Sequence, residues 1–163
     1  MGVAGGSDRH ATPRRVAAAL LATTLMVFLV SLPTVAAARS YRTRLLTMLD
    51  RSRAAHDLRP VKLNLRLSDT ARSHTRRMIQ RDQLFDVSNL SQALAPFRWS
   101  WGGSVVGCGS TLWQVHRGLM GHALHRRILL STRARWVGIG VIRTAGKSTC
   151  GRHAFWVTEI LYG

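Results

Sequence analysis

The chain has 163 residues, 46% of them hydrophobic, and a formal net charge of +17 from 24 lysines and arginines against 7 acidic side chains. That length and hydrophobic content fit one compact domain with a short extra segment. The charge favours anionic polymers or lipid head groups through a long-range, salt-sensitive field, but the arginines are spread along the chain without a nucleic-acid-binding motif, which removes nucleic acid from the expected partners.

The extra segment is N-terminal. Arg14 and Arg15 precede an almost uncharged run, Val16 to Leu32, which leads through Pro33 into "TVAAARS". This positive, apolar, small-residue order is that of a secretory signal peptide. Residues 1–38 are therefore read as the signal peptide, cut after Ala38, and 39–163 as the mature domain. The alternative is an uncleaved membrane anchor, because the run approaches the ~20 residues that span a bilayer. Cleavage would remove Arg9, Arg14, Arg15 and Asp8 and leave a net charge of +15.

The mature part opens with a helix over Tyr41 to His56. Leu45, Leu46 and Leu49 recur at helical spacing, and arginines cover the remaining surface. Pro60 ends that pattern. A second helix is predicted from Ser68, a plausible N-cap, to Asp82. His74 shares its apolar stripe with Leu67, Ala71 and Met78 and is read as a hydrogen-bonded histidine of the core or of a cleft edge. From Leu84 to Gly109 the chain is expected to be mostly loop, with one short strand near "GGSVVG".

Thr111 and Gln114 form a capping-box pattern that opens a third helix, with Leu112, Val115 and Leu119 as its buried face. A short further turn carries "HRRILL". The last element is a hairpin. In "WVGIGVI", Val137, Ile139 and Val141 point one way, and Gly138 and Gly140 leave the other face open to a close neighbour. Phe155 to Tyr162 supplies the partner strand.

Export would place Cys108 and Cys150 in an oxidising compartment, where a pair is more readily a disulfide than a metal site. Gly107 to Gly109 and the loop 144–153 could bring them together, closing a loop for about 4 kcal/mol of chain-entropy stabilisation. Two separate buried thiols are the alternative.

Read in order, "LSDTARSHTRRM", "LF" with a polar residue, "WGGSVVG", "VHRGLMGHALHRRILL", "RWVGIGVI" and "FWVTEIL" resemble the bacterial secreted branch of the CAP superfamily. That superfamily holds cysteine-rich secretory proteins, antigen 5 and plant pathogenesis-related proteins. The likeness covers residues 41 to 163. It implies an α/β fold, an α-β-α sandwich with a small antiparallel sheet between helical layers and an open cleft on one side.

Family members often line that cleft with two histidines and two acidic residues able to hold a divalent cation, a donor set that suits zinc or a related ion. Position by position, the resemblance puts Asp86 where one histidine is usual, Gly103 where a glutamate is usual, and Ser104 in place of the asparagine after it. One histidine is kept as His125, followed by Arg126. Glu159, the chain's single glutamate, is inside the last strand and is expected to partner an arginine. His122 and His125 are three apart, a possible ligand pair without a third member. No metal and no cofactor are expected.

The cleft residues are thus Asp86, Ser104, His122, His125 and Arg126. Ser104, His125 and Asp86 have the chemistry of a nucleophile, a base and an orienting acid, although no nucleophile-elbow motif supports their convergence. The expected function is a non-enzymatic secreted binding module. Its partner would be an anionic lipid or cell-wall polymer of the envelope, with membrane contact. A hydrolase of peptide or ester bonds is the alternative.

Overall fold

The computed structural model describes Met1, Gly2 and residues 33–163; the apolar run Val16 to Leu32 lies outside the described residues. The first helix, α1, is Pro33–Ala54. It buries Leu45 and Leu49, one helical turn apart, while Arg44 and Arg51 face solvent. It stops at Ala54 because the following turn reaches a left-handed residue, Asp57 with φ of 57°, which no helix can accommodate.

After the two-residue strand β1, Lys62–Leu63, comes α2, Leu65–Gln80. Its N-cap is Asn64 rather than the expected Ser68: the Asn64 side chain accepts from the amide of Leu67 at 3.0 Å. Ser68 is buried in the first turn, where its hydroxyl donates to Asn64 O at 2.7 Å and accepts from Ile139 N at 3.1 Å. It therefore ties the helix to the sheet. A short helix, α3, Leu90–Leu94, interrupts the expected loop and is capped by Asn89; five residues are too few for a periodic signal. The strand near "GGSVVG" is longer than expected, with β2 covering Gly102–Gly109.

Next are α4, Leu112–Gly121, and α5, Ala123–Leu129, joined through the extended residue His122. Half of the capping box forms. Thr111 Oγ1 accepts from Gln114 N at 3.1 Å, but the Gln114 side chain turns to the hydroxyl of Ser110. The chain then makes β3, Trp136–Arg143, a small hairpin of β4, Lys147–Ser148, and β5, Gly151–Arg152, and finally β6, Phe155–Tyr162.

The main sheet has the order β1-β3-β6-β2. Strand β6 is antiparallel to both β2 and β3, and β1 adds a short parallel edge. Alternation along the strands divides the core. Val157 and Leu161, with Val105, Val137 and Ile139, meet α1 and α4 on one face. Trp156, Ile160 and Tyr162 meet α2 and α3 on the other. Helices on both sides of a small sheet make an α-β-α sandwich.

The hairpin glycines act as expected. A Cβ on Gly138 or Gly140 would run into Leu67 or into the backbone at Ala71 and Arg72, so their absence lets α2 lie directly on β3. Arg53, 1% exposed, fastens the end of α1 to the end of α5. Its guanidinium donates to Arg59 O at 2.8 Å, Leu129 O at 2.7 Å and Ser131 O at 3.1 Å. At the other end of the sandwich, Cys108 of β2 and Cys150 form a disulfide, with Cα atoms 5.8 Å apart. Beside it, Asp82 accepts from the amide and hydroxyl of Thr149, which holds the β4–β5 hairpin on the end of α2.

Candidate functional site

His74 is carried by the buried stripe of α2, so its ring enters between helix and sheet. Nδ1 lies 3.2 Å from Thr158 Oγ1, and Nε2 lies 3.3 Å from the carbonyl of Asp86. Thr75 donates to the same Thr158 hydroxyl at 2.9 Å. Burial holds the His74 pKa below its ordinary value; the Asp86 carbonyl and carboxylate oppose that shift, and Arg77 adds to it. The ring is hydrogen-bonded and at the edge of an open cleft of about 310 Å³, which Thr70, Arg77, Ser88, Asn89 and Gln92 also line.

The five residues assigned to the cleft divide into three groups. Asp86, exposed just beyond α2, and His125, half-buried on α5, come within electrostatic reach of each other. The rings of His122 and His125 are 4.6 Å apart. Burial is the main cause of a lowered His125 pKa, His122 adds to it, and Asp86 opposes it.

Arg126 turns away into a second groove of about 570 Å³, shared with Arg127, Arg133, Ser131 and Thr132. Ser104 is opposite Ile160 in the β2–β6 ladder. Its side chain therefore points to the α2–α3 side, whereas His125 belongs to α5 on the other face. Among the described residues, the serine hydroxyl bonded to a histidine ring is Ser52, 2.8 Å from Nε2 of His116. Sequence reading did not flag that pair. Among the described residues His116 Nδ1 is buried without a partner, so none of their acids orients the ring as a hydrolase would require.

The position the resemblance gives to a ligand glutamate is closed. A Cβ on Gly103 would sit 2.7 Å from Cγ2 of Ile128, so α5 has moved an apolar side chain into that room. Among the described residues no three histidine, cysteine, aspartate or glutamate side chains are placed to hold a metal ion. A divalent cation of the family type does not fit this donor set, and no chemistry here is routed through one.

Glu159 corrects another expectation. It pairs with Val105 and Ile139 in the sheet, is fully buried, and among the described residues neither carboxylate oxygen has a hydrogen-bond partner. Among the described residues no arginine reaches it, because its position on β6 faces the apolar layer under α1 and α4. Burial pushes its pKa up to about 8.

Helices on both faces of a small sheet, with an open cleft at one side, define the class as an α-β-α sandwich domain. The sequence model of the CAP family, described as the cysteine-rich secretory protein family, matches residues 41–160, and the chain belongs to that family. Among solved structures it is similar to an extracellular protein of Bacillus anthracis containing an SCP domain, at 16% identity and a TM-score of 0.64. That alignment covers 77% of this chain and 41% of the other. An outer surface protein of Borrelia burgdorferi is similar at 15% identity and a TM-score of 0.59, over 77% and 96% of the two chains. A cysteine-rich secretory protein of Staphylococcus aureus is similar at 18% identity and a TM-score of 0.59, over 77% and 39%. No curated protein matches in sequence. At these identities the likeness to the solved structures concerns the fold.

Proposed function

We propose that the chain is a non-enzymatic binding module, exported to the cell envelope or beyond, that holds an anionic or lipidic ligand on its arginine-rich face. The observation that carries this reading is the groove formed by Arg126, Arg127 and Arg133 with the hydroxyls of Ser131 and Thr132. Guanidinium forks and hydroxyl donors suit phosphate or carboxylate oxygens. The groove also lies in a stretch of one sign: from Val87 to Thr158 there is no aspartate or glutamate, against nine lysines and arginines. Export is supported by the disulfide and by the extracellular and outer-surface descriptions of two similar structures.

The hydrolase alternative gains less support. Ser104 and His125 serve opposite sides of the sheet, and among the described residues the Ser52–His116 pair has no third member.

The test is binding to phosphatidylglycerol vesicles and to soluble polyphosphate. Binding to at least one should be strong at low salt and weaken as salt rises. Replacing Arg126, Arg127 and Arg133 together by glutamine should weaken it at least about tenfold. Absent or salt-independent binding would overturn the reading.

A further inference from the structure

The faces of α4 and α5 turned from the sheet do not look like an ordinary solvated surface. Helix α4 buries Leu112, Val115, His116 and Leu119, which leaves Trp113 and Arg117 outward. Trp113 is 55% exposed, and the Arg117 guanidinium lies 5.1 Å above its ring. On α5, Leu129 is buried and Ile128 packs on Gly103, whereas Leu124 is 64% exposed. The arginine groove starts at Ala123, next to Leu124, and continues along the helix through Arg126 and Arg127.

This layer therefore presents a tryptophan, a leucine and several arginines with no acidic residue on either helix. The α2 layer is different. Leu65 is exposed there too, but Asp69 lies on the helix and Asp82 and Asp86 follow it. A soluble polyanion needs the arginines and has no use for an exposed indole and isobutyl group. The interface of a bilayer uses both, because phosphates meet the guanidinium groups while the apolar side chains enter the head-group and acyl boundary.

We propose that the outer face of α4 and α5 seats on the surface of an anionic phospholipid bilayer. Trp113 and Leu124 enter the interface, and Arg117, Arg126 and Arg127 pair with lipid phosphates. This rests on the reading of an anionic ligand given above and narrows it to a lipid surface at a stated place.

The experiment is hydroxyl-radical footprinting of the full chain with phosphatidylglycerol vesicles, phosphatidylcholine vesicles or soluble polyphosphate. Trp99 and Trp136, 40% and 37% exposed, are internal references. Anionic vesicles should slow Trp113 labelling severalfold and leave both references unchanged; phosphatidylcholine should not protect Trp113. The charge-preserving variant Trp113→Ala/Leu124→Ala should lose affinity for anionic vesicles by about tenfold or more and keep its affinity for polyphosphate.

Bound vesicles that leave Trp113 labelling unaltered would overturn the lipid face while the anionic reading stands. So would equal protection of Trp113 by polyphosphate, which identifies a soluble polyanion as the partner. If neither vesicles nor polyphosphate bind, both readings fall together.

Discussion

Glu159 is a carboxyl group kept neutral by its surroundings, and its titration has a definite sign. Burial raises its folded pKa to about 8 from an ordinary value of 4.5. Between those values the folded chain holds a proton that the unfolded chain has released. Stability from this group is complete below 4.5 and is lost as pH rises toward 8, at about 1.4 kcal/mol per pH unit. His74, His116 and His125 act in the opposite sense, because burial lowers their pKa values. The unfolded chain takes up protons first as pH falls through about 6.5, so their contribution is lost on the acid side. Comparing wild type with Glu159→Leu separates the two effects. The variant's stability advantage in denaturant titrations should widen steadily from pH 5 to pH 8. A constant difference would show that the carboxyl group is solvated. Arg53 is the other side chain whose burial decides its role. Arg53→Ala strands three carbonyl acceptors at the ends of α1 and α5, and should cost about 3 kcal/mol or more, measured by the same titrations.

At the level of elements, the contact between α2 and β3 is set by what two positions lack. Gly140→Ala should cost about 3 kcal/mol, because the added methyl meets helix backbone at Ala71 and Arg72 that cannot rotate away. Gly118→Ala is the matched control. Nothing lies within 4 Å of a Cβ there, and a helical alanine should stabilise by up to about 1 kcal/mol. Thermal melts of the two variants moving in the same direction would contradict this account. The two hairpin strands, their two glycines and the buried face of α4 are all legible in the sequence, because alternation and helical spacing are local properties. The Asn64 cap and α3 are not. Ser68 looks like a cap in isolation, and its hydroxyl is used for a bond to a strand 71 residues away.

For the molecule as a whole, the disulfide closes a loop between residues 42 apart in sequence and secures the end of the sandwich where Asp82 holds Thr149. The native protein should contain no titratable thiol. Cys108→Ser/Cys150→Ser should lower the unfolding free energy by roughly 4 kcal/mol, with the loss seen in denaturant midpoints. The candidate site was only partly readable at this scale. Asp86 lies within electrostatic reach of His125, whose ring is beside that of His122, whereas Ser104 points to the α2–α3 side of β2 and Arg126 lines a separate groove. The Ser52–His116 bond joins helices whose pairing no local pattern encodes.

The sequence by itself determined the family, the alternating hairpin, the paired cysteines and the excess of positive charge, since each is written in residue order or in composition. The tertiary structure decided that Ile128 fills the space beside Gly103, that Glu159 is buried with no partner among the described residues, and that Trp113 and Leu124 stand outside an acid-free layer. Those facts depend on which surfaces of distant segments are pressed together. Packing sets the dielectric and the room around each side chain, and neither can be read from its neighbours along the chain.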